Sequence, residues 1–175
     1  MRNSMKATIS EEAFLGLVLS AIEVYKRECL GLLLGYRLKD RFLIEYAIPY
    51  QTAERSHDLV DINNKYHRRL KGALEALHKW DFIGDFHSHP QYGPAKGNVS
   101  PSREDIKDVP ENSIFVIVAI NDRKKQQFFE ENKDGTVSGV VGDHNIKIAC
   151  FYKEKRNKVR SVPVSCQFAT GLYPE

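Results

Sequence analysis

The chain has 175 residues and a mass of 20.0 kDa, which suits one domain with one hydrophobic core. Its 42% hydrophobic and 28% charged residues exclude a largely disordered chain, and a net charge of +3 is too small to argue for a nucleic-acid partner. The longest apolar run, residues 30–34, is far too short to cross a bilayer, and we see no secretory signal. We therefore expect a cytoplasmic protein that binds neither nucleic acid nor membrane.

The three cysteines, Cys29, Cys150 and Cys166, are odd in number and have no paired CxxC spacing. A disulfide framework is not expected from such a set, and a reducing compartment fits it best. Core packing is the simplest role for all three, because no Cys-His-Asp pattern accompanies them.

The amino-terminal part of the chain predicts a strand, a helix and two further strands. Residues 6–9 favour β structure, and Ser10 is a good N-cap followed by two glutamates that complement the helix dipole. Apolar residues then recur at helical spacing, which predicts a helix over residues 11–26. The near-continuous apolar run at 29–36 predicts a strand covered on both faces, with residues 42–48 as its partner.

The middle of the chain predicts a loop at 51–58, a helix at 62–79 and a strand at 82–87. The apolar side of that helix would consist of Tyr66, Leu70, Ala73, Leu74 and Leu77. A loop rich in glycine and proline follows at 90–101. Its end, Ser100-Pro101, resembles a helix start in which a capping serine precedes proline.

The carboxy-terminal part predicts a buried strand at 114–120 and two strand pairs. Residues 127–131 and 136–141 should form a hairpin around the turn sequence Asn-Lys-Asp-Gly. Residues 146–153 and 159–168 should pair around a basic tip. With neither an internal repeat nor a linker, we expect one α/β domain over residues 1–175 whose mixed sheet is flanked by helices.

Two histidines that end the strand at 82–87 carry the first signal of chemistry. Residues two apart on a strand project from the same face, so His87 and His89 can aim at one point. Pro90 stops the strand directly afterwards, which places the pair at the rim of the sheet. Two converging imidazoles make half of a tetrahedral zinc site.

A serine and an aspartate downstream complete a candidate site. Ser102 and Asp105 are three apart and therefore share a face of the predicted helix, although Ser100 is our candidate for the helix cap. If that helix packs beside the histidines, Asp105 supplies a third metal ligand. Three protein ligands and one water are the arrangement of a catalytic zinc, which lowers the pKa of the water to roughly 7. Asp108, one turn further on, is the competing ligand.

Such a site needs a general base, and Glu28 is the best candidate. This residue stands directly before the apolar strand at 29–36, where a carboxylate is out of place unless it faces a polar cleft. We expect it to be partly buried and its pKa to be raised for that reason.

The glutamate at 28, the HxHP at 87–90 and the SxxD at 102–105 together resemble the motif of the JAMM/MPN (JAB) metalloprotease family. The resemblance covers roughly residues 28–120 and implies one MPN (JAB) domain with a cytidine-deaminase-like architecture. It implies that His87, His89 and Asp105 bind one Zn²⁺, that Glu28 is the acid/base and that Ser102 stabilises the oxyanion. It also implies hydrolysis of peptide or isopeptide bonds at the carboxyl terminus of ubiquitin or a ubiquitin-like protein, free or conjugated.

The sequence departs from this family in one loop. About seven residues usually separate the second histidine from the serine, whereas twelve separate His89 from Ser102 here. We interpret the extra length of loop 90–101 as a surface insertion, because loops absorb length at little thermodynamic cost.

Two other functions are open at this point, as is a partner subunit or a homodimer. The first is an MPN-like scaffold that binds partners without catalysis; such proteins usually lack ligands, and this chain keeps all of them. The second is a zinc hydrolase acting on a small molecule or nucleotide, although the HxE and PCxxC signature of the deaminases is missing.

Overall fold

Apolar strands from the middle of the chain form the centre of a mixed, ten-stranded sheet. The computed structural model describes residues 5–51, 65–77 and 79–172. The elements of the first half are β1 (Lys6–Ile9), α1 (Glu11–Glu23), β2 (Leu30–Arg37), β3 (Arg41–Pro49), α2 (Lys65–Leu77) and β4 (Asp81–Pro90). Those of the second half are α3 (Arg103–Asp108), β5 (Ile114–Asp122), β6 (Glu130–Glu131), β7 (Val137–Val141), β8 (His144–Lys153), a 3₁₀ turn (Lys155–Asn157), β9 (Val159–Val162), β10 (Val164–Ser165) and α4 (Gln167–Thr170).

The strand order is β10-β1-β3-β2-β4-β5-β8-β7-β6, and β9 pairs with β8. Strand β4 lies antiparallel to β2 on one side and parallel to β5 on the other. Residues 114–120 of β5 are all buried, as expected of a strand covered on both faces. The sheet with its flanking helices confirms the predicted α/β fold class.

Helix α1 covers one face of the sheet. Its N-cap is Ser10, whose Oγ accepts a hydrogen bond from Ala13 N at 3.1 Å, as predicted. Phe14 and Leu17 are buried on that helix and belong to the same apolar cluster as Phe86 of β4. The opposite face of the sheet has a smaller buried cluster, made of Val109, Phe115 and Ile117. This second face therefore buries fewer apolar side chains, which leaves positions on it for polar residues.

Helix α2 forms where the sequence predicts it, but the described residues of its apolar side are little buried. Leu70 and Leu77 are 38% and 63% exposed, Ala73 is exposed, and Leu74 is only half-buried. The helical periodicity was correct, but periodicity alone does not specify how closely a helix contacts the sheet. The predicted loop at 51–58, apart from residue 51, lies outside the described residues, and so do residues 62–64 and 78 of the predicted helix.

The carboxy-terminal pairings are partly as predicted. The hairpin forms between β6 and β7, with Gly135 at φ 81° in its turn. Strand β8 pairs with β9, but residues 159–168 are not one strand. The chain leaves β9 at Val162, joins β1 through β10 and then turns into α4. Pro163, which lacks an N–H donor, lies at the break. Among the described helices, none has the length and apolarity needed to cross a bilayer.

Candidate metal centre

Strand β4 presents both histidines on the sheet face opposite α1. Phe86 and Ser88 are completely buried, whereas His87 and His89 alternate with them and are only half-buried. The alternation of side chains along a strand accounts for this division. The predicted strand extends to Pro90, which is its last residue and lies opposite Ile120. The histidines are thus at the rim, as the proline indicated.

Helix α3 presents Asp105 to the histidines. Ser102, and not Ser100, is the N-cap: its Oγ accepts from Asp105 N at 3.0 Å, and Ser102 N donates to Asp105 Oδ2 at 2.7 Å. This reciprocal capping box fixes the carboxylate of Asp105. The prediction that Ser100 caps the helix was wrong, since the helix begins two residues later, at Arg103.

The three predicted ligands converge to form a small triangle. His87 Nε2 and His89 Nε2 are 3.1 Å apart, and Asp105 Oδ2 lies 3.5 Å from the first and 3.6 Å from the second. Among the described residues, these three are the group of His, Cys, Asp and Glu side chains that could hold a metal ion. Asp108, the competing ligand, does not belong to that group.

The triangle has the dimensions of a tetrahedral site. Bonds of about 2.0–2.1 Å to nitrogen and oxygen would separate tetrahedral ligand atoms by about 3.3–3.4 Å. The observed distances of 3.1, 3.5 and 3.6 Å bracket that value. Two imidazoles and one carboxylate also leave the fourth position of the tetrahedron open. The residues present therefore fit a metal with three protein ligands.

A backbone carbonyl orients His89. Its Nδ1 lies 2.7 Å from Asn98 O, an acceptor that requires the ring proton to be on Nδ1. The neutral ring then directs the lone pair of Nε2 towards His87 and Asp105. Metal-binding histidines usually have such an outer partner, which fixes the tautomer and the orientation of the ring.

The electrostatics of the triad favour a charged carboxylate. Burial by itself would raise the pKa of Asp105, but its interactions with His87 and His89 hold that pKa far below its usual range. Burial would lower the pKa of His89, yet Asp105, Asn98 O and the charge of Glu28 together raise it. The negative potential at this position would also attract a cation.

Glu28 lies two residues before β2, just outside the β2–β4 ladder. Within the ladder Leu30 pairs with His87, and Ser88 N donates to Cys29 O at 3.0 Å. Residues opposite each other in an antiparallel pair share a face of the sheet. If the register continues to Glu28, this residue shares the face of the triad, and its charge does raise the pKa of His89. Glu28 is exposed, however, so the partial burial that we expected is not found.

The long loop at 90–101 has two different parts. Residues 92–96 are exposed, as a surface insertion should be. Gly97 and Asn98 instead return to the site: Asn121 Nδ2 donates to Gly97 O at 3.0 Å, and the Asn98 carbonyl meets His89. A Cβ at Gly97 would overlap the carbonyl oxygen of His89. The loop thus contributes to the candidate metal centre.

We expect Gly97→Ala to weaken metal binding by about 10–100-fold, the usual effect of losing an outer partner of a ligating histidine. The added methyl group must push residues 97–98 away from His89 and so lengthen the bond to Asn98 O. Competition with a chelator measures the affinity. Gly72→Ala is the control, because a Cβ at Gly72 meets no atom within 4 Å. Equal affinities of Gly97→Ala and the wild type would refute this role of the loop.

Two further polar residues near the site were not predicted. Ser88 Oγ accepts from Cys29 N at 2.8 Å and so joins the start of β2 to the histidine strand. Asp85 lies on the same face as His87, and burial raises its pKa to about 7. The sequence did contain a signal for both. Asp85 is two residues before His87 and so shares its face of the strand, whereas Ser88 is a polar residue at a position where the alternation predicts a core residue.

The fold and the site together define a class: an α/β protein with a mixed sheet and a His-His-Asp group at the rim of a central strand. Comparison with known families is more specific. The sequence model of the family described as "Prokaryotic homologs of the JAB domain" matches residues 10–131, more than half of the chain. The chain belongs to this JAB family, which confirms the predicted resemblance.

Two individual proteins are similar to this chain. COP9 signalosome complex subunit 5 of Emericella nidulans is 27% identical over 113 residues, which are 63% of this chain. The aligned part is only 34% of that relative, so the chain spans about a third of its length. The solution structure of protein DSY2949 from Desulfitobacterium hafniense matches with a TM-score of 0.57, 18% identity and 92% coverage of both chains. The latter likeness concerns the fold alone.

Proposed function

We propose that this protein is a zinc-dependent metallopeptidase, a deubiquitinase-like isopeptidase of the JAMM type. Its reaction would be hydrolysis of a peptide or isopeptide bond, with Glu28 as acid/base. The observation that carries the proposal is the convergence of His87 Nε2, His89 Nε2 and Asp105 Oδ2, all within 4.8 Å of one another, with Glu28 two residues before the strand that pairs with the histidine strand.

His87, His89 and Asp105 would hold one zinc ion per chain. When bound, zinc supplies a Lewis acid and lowers the pKa of a water molecule to about 7. Imidazole and carboxylate ligands suit zinc, and three protein ligands are typical of its catalytic sites. The absence of a cysteine ligand in this group further separates it from the usual structural sites, which have four protein ligands.

Glu28 and Ser102 would perform the remaining steps. A carboxylate whose charge reaches His89 and which is open to solvent can take a proton from the attacking water and return it to the leaving amine. The Ser102 hydroxyl accepts from Asp105 N, so it still has its own proton to donate. That proton could stabilise the oxyanion that develops on the scissile carbonyl.

The substrate we propose is the carboxy-terminal tail of a ubiquitin-like protein or of its conjugates. Family membership and the similarity to a COP9 signalosome subunit support this class. A flexible tail could approach Glu28 and the triad from solvent, because Glu28 and Ser102 are exposed. A partner subunit or a second copy of the chain is part of the proposal, as is a cytoplasmic location, which the three free cysteines suit.

The test is turnover by the zinc-loaded protein on ubiquitin-like proteins that have a carboxy-terminal extension or an isopeptide-linked lysine peptide. We expect release of the extension, its loss on chelation and its recovery when zinc is returned. Release is measured by mass spectrometry, and nucleosides are tested in parallel. Hydrolysis of nucleosides alone would favour the small-molecule hydrolase. Binding of a ubiquitin-like protein without any hydrolysis would favour the scaffold.

A further inference from the structure

Glu28 has to be held close to the triad, although no regular element contains it. Helix α1 ends at Glu23 and β2 begins at Leu30, so Glu28 lies in the connection between them. That connection turns sharply: Arg27 N donates to Val24 O at 2.8 Å, and Lys26 has φ 78°, a conformation unfavourable for a residue with a side chain. Other contacts must stabilise this turn.

Asp122, at the end of β5, contacts the turn from the other side of β4. Its Oδ1 accepts a hydrogen bond of 2.5 Å from Tyr25 Oη, and Lys26 Nζ lies 3.7 Å from its Oδ2. Lys26 Nζ also donates to Tyr25 Oη at 3.2 Å. The Tyr25 ring is fixed further by an edge-on contact with His144, at 4.6 Å between centroids. Tyr25 and Lys26 therefore meet at the carboxylate of Asp122, and His144 packs beside them.

The same carboxylate contacts the chain that leaves the second histidine. Gln91 Nε2 donates to Asp122 Oδ2 at 3.1 Å, and Asp122 N donates to Gln91 Oε1 at 3.2 Å. Gln91 is two residues after His89, and Tyr25 is three residues before Glu28. Asp122 thus joins the segment that bears the proposed base to the strand that bears a proposed ligand.

We propose that Asp122 is a positioning residue, which acts through Tyr25 and Gln91 to hold the Glu28 segment against the end of β4. This inference rests on the proposed function, in which Glu28 is the acid/base. Ser88 holds Cys29 from the core side, so Glu28 lies between a buried link and this exposed one. Side chains that exchange protons must be held within a fraction of an ångström, which makes the second link consequential.

The test compares Asp122→Ala, Tyr25→Phe and the pair of changes together. We expect each single change to lower kcat by about 10–100-fold, as a displaced catalytic group should. KM, the zinc content and the melting temperature should stay close to those of the wild type. The double variant should be no slower than the slower single variant, because both changes break one link. Tyr25→Phe removes the hydrogen bond to Asp122 but keeps the negative charge of that carboxylate. It therefore separates the effect of losing the link from the effect of losing the charge.

The matched control is Asp143→Ala. Asp143 forms an exposed ion pair with Arg123 at 3.3 Å near the same end of the sheet but has no bond to Tyr25 or Gln91 among the described residues. Its loss should leave kcat unchanged. Equal reductions of kcat in Asp143→Ala and Asp122→Ala would overturn the proposal, because they would indicate a general charge effect.

Hydrogen exchange of residues 24–29 gives a readout that does not depend on turnover. We expect faster exchange in Asp122→Ala and Tyr25→Phe, and unchanged exchange in Asp143→Ala. Unaltered exchange in these two variants would overturn the positioning role and leave the proposed function intact. The same conclusion would follow if their kcat were unaltered while Glu28→Gln is inactive. An inactive wild type, or an active Glu28→Gln, would instead refute the proposed function, while the exchange rates still decide whether Asp122 orders the segment.

Discussion

Replacing Glu28 with glutamine should lower kcat by about 10²–10⁴-fold, the usual contribution of a general acid–base group, while the protein retains its zinc. Glutamine has nearly the same shape as glutamate but cannot take a proton at neutral pH. Glu28 does not belong to the group that could hold the metal, so this substitution should not alter the metal content. Peptide release and elemental analysis of the same preparation measure the two effects.

Glu23→Gln is the control for that variant. Glu23 is the exposed last residue of α1 and, like Glu28, precedes β2. We expect wild-type turnover from it, since Glu23 belongs to α1, which covers the sheet face opposite the triad. If Glu28→Gln were as active as Glu23→Gln, another group would have to serve as the base, and Asp85 on the same face as His87 would be the next residue to substitute.

Loss of the metal is the second large effect, expected for both His87→Ala and Asp105→Asn. Zinc per chain should fall from about one in the wild type, and the loss of affinity should exceed the roughly 10–100-fold caused by losing an outer partner. Asparagine at 105 retains the backbone N–H that donates to Ser102 Oγ, so helix α3 should remain intact. Elemental analysis and chelator competition measure binding, and added zinc should raise the melting temperature of the wild type but not of His87→Ala or Asp105→Asn.

Asp108→Asn is the matched control for the ligand variants. Asp108 is the last residue of the same short helix and lies outside the candidate ligand group. It should bind zinc as the wild type does. Zinc content unaffected by His87→Ala and Asp105→Asn would contradict the metal centre itself, and zinc lost only in Asp108→Asn would contradict the choice of aspartate.

The central strands could be predicted from the sequence because burial on both faces leaves a continuous apolar run. Strands β2 and β5 differ from their predicted bounds by at most two residues at either end. The start of α1 was equally clear, since a capping serine followed by two glutamates is a local signal. Local signals were insufficient for α2, because the exposure of Leu70 and Leu77 depends on which elements pack against the helix. They also failed at Val162, where the chain changes its partner strand.

The sequence by itself determined which side chains make up the candidate ligand group, because that group follows from residue types and short spacings. Two histidines with one residue between them share a face of any strand, and a serine and an aspartate three apart share a face of any helix. The tertiary structure decided everything that depends on register and on contacts between distant segments. Only pairing of β2 with β4 brings the start of β2, and with it the Glu28 segment, to the histidine strand, and only the return of the long loop directs the Asn98 carbonyl to His89. Only the end of β5 brings Asp122 to Tyr25, 97 residues away in the chain, since a hydrogen bond between segments so far apart leaves no pattern in either of them.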